Sequence, residues 1–432
     1  MEILAELAGN PERCVPSIHV AGSKGKGSVT AMIASILEAD GKRAARYMSP
    51  HIHDFRERIC MGNGFFDEAV YCAAGDALRD VAEQKVPALN SSLFDPASEE
   101  GEALTFFELL TLFFFLCARM GNCDVMVVET GMGGRLDCTN IVDPLVSVIT
   151  FIELEHTAIL GDTIPAIAGE KAGIIKAGRP LVLARQNAQA LDVFKKRTAE
   201  KNSPLLYFPD IAAIKDVRVY SGGTDFSLLF PAQSPTSTMN LSIPIPGKVQ
   251  VENAGLAVAA LKTAFPGIAN NADIGNDTGI GDDAGIGDAA IRQGLACVQL
   301  PARFEKVSYT PPFIIDGAHT PESAALCVET FCSLYGEGGI LLFGCAADKN
   351  APAMAEILQP WFSQVIVTTP GTFKISDPEK AYRAFSAANT LFIQDTHAAI
   401  QQALDAGREK QLPILSVGSF YLAAEVRAYF AK

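Results

Sequence analysis

The sequence predicts an α/β protein built of two doubly wound units, each a parallel sheet with helices on both faces. Three observations lead there. Short apolar runs that end in Gly, Asp or Thr alternate with longer helical stretches. A glycine-rich turn joins the first of these runs to a helix. After a break in pattern, the same rhythm restarts at Phe313.

In chain order, the strands expected in the first unit are Ser17 to Ala21, Asp124 to Glu129, Leu145 to Ile152 and Arg179 to Ala184. Leu109 to Met120 is strongly apolar but shorter than the roughly 20 residues that span a bilayer, so it reads as a buried helix. Between Val217 and Phe230, two alternating runs flank Ser221-Gly222-Gly223-Thr224, the pattern of an antiparallel hairpin decorating this unit. Asn270 to Asp288, rich in Gly, Asp and Asn, reads as a flexible surface loop, since its carboxylates lack the glycine-rich nonapeptide spacing of a calcium repeat. A helix follows from about Asp288, and Gln299-Leu300-Pro301 marks the expected boundary, giving domains 1–298 and 299–432. Strands of the second unit are expected at Phe313 to Ile315, Gly339 to Phe343, Gln364 to Thr368, Thr390 to Ile393 and Pro413 to Val417. In such sheets ligands collect at the carboxyl ends of the strands, so the expected site is a cleft between the units.

Composition narrows the functional class. At 432 residues, half of them hydrophobic, the chain can bury two or three cores. A net charge of −14 argues against nucleic acid or an anionic membrane as partner. The ten cysteines include no CxxC pair, which fits reduced thiols in a cytoplasmic enzyme better than a disulfide framework or a zinc site. Met1 to Cys14 lacks the basic start and apolar run of an export signal, and a soluble protein is expected.

The strand Ser17 to Val20 runs into Ala21-Gly22-Ser23-Lys24-Gly25-Lys26-Gly27-Ser28 and then an apolar helix from Val29 to Ala39. Strand, glycine-rich turn and helix aim backbone N–H groups and a helix dipole at an anion. Lys26 can reach β and γ phosphates, and the Ser28 hydroxyl can ligate Mg²⁺. The spacing is a variant of the Walker pattern, because Val20 replaces the first glycine and Gly27 separates lysine from serine. Two lysines at a helix N-terminus would be repelled by its dipole unless an anion sat between them.

Asp124 to Glu129 delivers Glu129 at a strand end, beside Thr130-Gly131-Met132-Gly133-Gly134-Arg135-Leu136-Asp137, where a carboxylate can hold Mg²⁺. The next strand ends in Glu153-Leu154-Glu155-His156-Thr157, and His156 is one of only six histidines. Beyond it Ile164, Ile167, Ala168, Lys171, Ile174 and Ile175 share one helical face, which puts Lys171 on an apolar stripe. Burial disfavours the ammonium form, so three readings stay open: a carboxylate pairs with it, its neutral amine takes up CO₂ as a carbamate, or its stem packs while its head reaches water.

Taken together, these segments resemble the folylpolyglutamate synthase and dihydrofolate synthase branch of the Mur ligase superfamily. The resemblance is carried by His19 to Ser28, Ser49-Pro50-His51 with Glu57-Arg58-Ile59, Thr105 to Glu108, Val128 to Asn140, Glu155 to Lys176, Gly247 to Ala254, Asp316 to Pro321, Phe343 to Lys349, and Gly418-Ser419-Phe420, in the family's order. It implies a Mur-ligase-type central domain with a phosphate loop, then a smaller Rossmann-like α/β domain that closes over it. It implies an ATP-dependent ligase that adds L-glutamate to a folate or dihydropteroate carboxylate through an acyl phosphate, working as a monomer on small molecules. Carried residue by residue, it implies Ser23, Lys24, Gly25, Lys26 and Gly27 on the ATP phosphates, Ser28 and Glu129 on one Mg²⁺, His156 on a second, and Lys171 carbamylated. Asn253, Arg303, Asp316 and His319 become nucleotide and glutamate contacts at the domain interface, His319 with a catalytic role. Ser49, Pro50, His51, Thr105, Phe107, Glu108, Glu155 and Ser419 become substrate contacts.

Departures from the family pattern are Glu155 where Asp is usual, Ala302 where Gly is usual, and Thr320 where Asn is usual. The stretch before Pro16 is also short for the family's leading helix. Two rival expectations are another Mur-type amino-acid ligase and a nucleotide-binding regulator with an inactive site. Retention of Lys26, Glu129, His156, Lys171 and His319 speaks against the second.

Overall fold

The computed structural model describes residues 1–52, 54–85, 104–231, 237–266, 285–371, 375–385 and 389–431. Most of the glycine-rich Asn270 to Asp288 segment lies outside the described residues.

Three sheets organise the described residues. The first contains β1 (Ser17–Ala21), β2 (Ala44–Tyr47), β3 (Ile59–Met61), β4 (Gly64–Phe65), β5 (Val125–Glu129), β6 (Val146–Ile149), β7 (Leu181–Leu183) and β8 (Leu205–Tyr207), in the order β4-β3-β2-β5-β1-β6-β7-β8. From β2 to β8 every pair is parallel, and β3 and β4 add an antiparallel edge. Every residue of β1 is buried, as a central strand covered on both faces requires. Because β1 lies between β5 and β6, with Val20 opposite Glu129 and Ala21 opposite Ile149, the segments leaving all three strands emerge side by side. That register is what assembles the site.

Helix Lys26–Ala39 packs behind this sheet and is buried along nearly its whole length. It is crossed closely by helix Asp288–Cys297, where a Cβ on Gly294 would collide with the Ile36 backbone and Ser35 Oγ donates to Gly294 O at 2.7 Å. Helix Phe106–Met120 begins slightly before the apolar run because Thr105 and Glu108 form a reciprocal cap, with Glu108 N donating to Thr105 Oγ1 at 3.2 Å and Thr105 N to Glu108 Oε2 at 2.9 Å.

The expected hairpin is present as β9 (Ala213–Tyr220) and β10 (Gly223–Phe230), and a third strand, β11 (Ser237–Ile243), pairs with β10. Phe226, Leu228, Met239 and Leu241 bury one face against the core that also holds helix Lys248–Ala264.

A second α/β sheet follows: β12 (Glu305–Tyr309), β13 (Pro312–Ile315), β14 (Gly339–Phe343), β15 (Phe362–Val367), β16 (Thr390–Phe392) and β17 (Ile414–Val417), ordered β12-β13-β17-β14-β15-β16. All its pairs are parallel except β12 with β13. Ile52, from the first unit, packs against the core of this second one. All ten cysteines are free thiols. Among the described residues no helix is long and apolar enough to cross a membrane.

Candidate active site

The turn after β1 is built so tightly that glycine is required. Gly22, at φ 143°, lies against the Thr150 side chain, and Gly25, at φ 88°, lies against Asn253 Oδ1, leaving no room for a Cβ at either. The turn is tied to the segment after β6 by Ser23 N, which donates to Phe151 O at 2.9 Å, and by Ser23 Oγ, which donates to Glu153 O at 3.1 Å. Gly25 caps helix Lys26–Ala39 with no side-chain acceptor, so the first N–H groups of that helix face the turn. The Lys26 ammonium curls back over the loop, donating to Gly22 O at 2.8 Å and Ser23 O at 3.3 Å. Ser28 is buried one turn into the helix.

Glu129 stands across from this loop. A Cβ at Gly27 would be 3.4 Å from Glu129 Oε2, so the carboxylate lies directly against the loop. Only 4% of Glu129 is exposed, and burial pushes its carboxyl up to about 7 although Lys26, the Ser49 N–H at 3.2 Å and Arg303 favour the charged form. A carboxylate held in so dry a place gains by meeting a cation.

The third side comes from the segment after β6. Thr163 caps helix Ile164–Lys171, with Pro165 in its first turn, and Lys171 is its last residue. Lys171 is fully buried, which excludes the snorkelling arrangement. Its Nζ donates to Glu155 Oε1 at 2.7 Å and to Gly22 O at 2.8 Å, so a carboxylate partner is present. Burial, reinforced by Lys26, lowers the Lys171 amine to about 8 against the opposing pull of Glu155. Glu155 feels the reverse: burial raises its carboxyl, yet Lys26 and Lys171 outweigh it and leave the group below its ordinary range. The extra methylene of Glu155 over the usual Asp gives it this reach. His156 adopts a left-handed backbone, φ 47°, and burial together with Lys26, Lys349 and Lys171 holds its imidazole below the ordinary value against Glu155.

The second unit supplies the fourth side. Asp316 accepts from Phe304 N at 2.8 Å and Ala318 N at 2.7 Å, and burial raises its carboxyl against the pull of Arg303. The Arg303 guanidinium stacks 4.2 Å from the Phe420 ring centre. His319 donates from Nδ1 to Gly317 O at 2.7 Å, leaving Nε2 as the acceptor, and burial with nearby Lys24 drops it to about 4. It is a neutral imidazole at physiological pH. Thr320 caps helix Pro321–Tyr335, accepting from Ser323 N at 3.3 Å, so the departure from Asn preserves a capping oxygen.

The remaining expected positions have clear local partners. Asn253 donates to Gln250 Oε1 at 3.1 Å while its Oδ1 lies against Gly25. Ser419 caps helix Phe420–Phe430. The Ser49–Pro50 turn leads to His51, whose Nδ1 accepts from Arg58 Nε at 2.8 Å. Phe107 packs its ring on Gly131, tying helix Phe106–Met120 to the glycine segment after Glu129. Thr105 and Glu108 spend their polar atoms on the helix cap.

Three partners escape sequence reasoning. Lys24 pairs with Glu153 at 3.3 Å, Thr150 walls Gly22, and His19 Nε2 meets Thr139 Oγ1 at 2.8 Å. The run of two acids before His156 was the available signal for Glu153. Among the described residues no group of three or more His, Cys, Asp or Glu gathers to hold a metal alone. A magnesium ion, which keeps waters and phosphate oxygens as most of its ligands, needs only one or two protein groups, a demand compatible with Ser28 and Glu129 on one ion and His156 on a second.

Such a site, a glycine-rich loop on the first sheet facing residues from a second α/β unit, fits the Mur-type ligases to which the family profiles assign both halves of the chain. The family profile "Mur ligase middle domain" matches residues 92–261, and "Mur ligase, glutamate ligase domain" matches residues 302–420. The folylpolyglutamate synthase of Lacticaseibacillus casei is 32% identical over 98% of this chain and 92% of its own. The dihydrofolate synthase/folylpolyglutamate synthase of Bacillus subtilis (strain 168) is 31% identical over 99% and 93%. Among solved structures, the Mycobacterium tuberculosis folylpolyglutamate synthase complexed with ADP and AMPPCP aligns at TM-score 0.85, with 27% identity over 100% of this chain and 94% of that one. A folylpolyglutamate synthase–AMPPCP–folate complex aligns at 0.80, with 31% identity over 99% and 93%. The chain belongs to the folylpolyglutamate synthase and dihydrofolate synthase family.

Proposed function

We propose that this protein is an ATP-dependent ligase that forms an amide between L-glutamate and the carboxylate of a folate or dihydropteroate. The observation that carries the reading is the convergence, at the carboxyl ends of adjacent central strands of one sheet, of the Lys26 loop, Glu129 and the Glu155–His156–Lys171 group, with Arg303, Asp316 and His319 facing them.

In this reading the substrate carboxylate takes the γ-phosphoryl group of ATP, giving ADP and an acyl phosphate. The amine of glutamate then attacks the acyl carbon, phosphate departs, and the ammonium proton is released. Phosphoryl transfer needs positioning and charge neutralisation more than covalent help. Ser23, Lys24, Gly25 and Gly27 shape the phosphate cradle, and Lys26 leaves its loop carbonyls to meet phosphate oxygens. Asn253 braces the cradle at Gly25, and Arg303 and Asp316 bring the second unit onto the nucleotide. Neutral His319 offers Nε2 as an acceptor for the incoming amine. Ser28 and Glu129 would hold one Mg²⁺ and His156 a second, ions that neutralise phosphate charge when bound. Buried Lys171, with its lowered amine, suits carbamylation, which would supply one further anionic oxygen ligand. Ser49, Pro50, His51, Phe107, Thr105, Glu108, Glu155 and Ser419 border the acid-substrate side of the cleft. The domains of this reading are 1–298 and 299–432, in a cytoplasmic monomer.

Lys26→Ala tests the proposal. The variant should fold but lose the ADP release that requires both acid substrate and glutamate; near-normal turnover refutes the assignment. Running the parent with dihydropteroate and with tetrahydrofolate, each plus glutamate, separates the two acids and distinguishes them from any cell-wall precursor.

A further inference from the structure

Phe420 touches three parts of the second unit's contribution at once. Its ring centre lies 4.2 Å from the Arg303 guanidinium carbon. Its ring centre lies 5.8 Å from that of His319, with the two planes at 60° in a T-shaped arrangement. Its carbons press on Gly317 so closely that a Cβ there has no space, and Gly317 O is the acceptor that fixes His319 Nδ1.

Arg303 has little else to hold it. Among the described residues its guanidinium makes a 3.3 Å hydrogen bond to Ala302 O, and no carboxylate forms an ion pair with it. Both Asp316 and Glu129 lie within electrostatic reach, so the guanidinium faces the first unit across the cleft. A flat cation in that position, without a carboxylate fork, is oriented by the aromatic face beneath it.

We propose that Phe420 is a positioning residue for nucleotide binding: its ring face sets the plane of Arg303 while the same ring packs against His319, so both side chains enter the cleft pre-aligned. The inference rests on the proposed placement of ATP in this cleft. Pre-alignment lowers the ordering cost of binding, so its loss shows in affinity before it shows in turnover.

The test compares Phe420→Leu, which keeps apolar bulk and loses the ring, with Phe420→Tyr, which keeps the ring. Binding of the non-hydrolysable analogue AMPPCP is measured by titration calorimetry, and KM for ATP and kcat by ADP release. Phe420→Leu should weaken AMPPCP binding and raise KM for ATP roughly tenfold through Arg303, and a fall in kcat reports the loosened seat of His319. Phe420→Tyr should stay within roughly twofold of the parent in all three. The proposal is overturned if the Leu variant binds AMPPCP as the parent does, whatever its melting temperature. It is equally overturned if the Tyr variant loses as much as the Leu variant. A parent that binds AMPPCP yet releases no ADP with folate-type acids defeats the ligase reading alone, and the binding comparison still decides the role of Phe420.

Discussion

Replacing Glu129 with Gln should stabilise the nucleotide-free protein while removing its activity. The carboxyl is raised from 4.5 to about 7 by burial, so the native state keeps a proton that the unfolded chain releases. Stability from this group is fully present below pH 4.5 and is lost as pH rises through about 7. The difference corresponds to about 3 kcal/mol at pH 8. For a unit of this size that is about 5 °C in melting temperature. Thermal unfolding in EDTA at pH 5 and pH 8 measures it. The parent should lose stability between the two values through this group, and Glu129→Gln should melt higher than the parent at pH 8 but not at pH 5. Adding Mg²⁺ and ATP should raise the melting point of the parent and not of the variant. If parent and variant melt together at pH 8, the carboxylate is not strained by its surroundings and the argument fails.

Other substitutions probe the remaining sides of the site. Gly25→Ala places a Cβ on Asn253 Oδ1 at a left-handed φ of 88°, so it should destabilise the turn by about 2 kcal/mol and weaken AMPPCP binding, read by chemical denaturation and calorimetry. Lys171 should carry a carbamate: ¹³C-bicarbonate should give a carbonyl resonance that strengthens as pH approaches and passes about 8 and vanishes in Lys171→Met. Absence of a Lys171-dependent resonance removes the modification from the mechanism.

Much of the architecture was legible because the central strands advertise themselves. Ser17–Ala21 and Gly339–Phe343 are expected and observed with the same limits, since strands buried on both faces read as unbroken apolar runs. Strand β2, Ala44–Tyr47, escapes because two alanines and an arginine carry little strand signal, and β3, β4 and β8 are only two or three residues long. Within the site, the phosphate loop is legible because close approach to an anion demands glycines and a cation at fixed places. Helical periodicity correctly buries Lys171, but its pairing with Glu155 depends on the left-handed turn at His156, which spacing does not reveal. Thr105 and Glu108 carry the S/T-x-x-E signature of a helix start, a signal that accounts for their contacts without any substrate. Phe420 belongs to the Gly418-Ser419-Phe420 segment that carries the resemblance, but its contacts are not legible there because Arg303 and His319 come from distant points of the chain.

The position of Lys26 has one more consequence. The same ammonium figures in the electrostatic surroundings of Glu129, Glu155, His156 and Lys171. Once a triphosphate cancels that cation, all four groups acquire greater affinity for protons together. Arrival of the nucleotide is thereby felt at all four groups as a shift of proton affinity in the same direction.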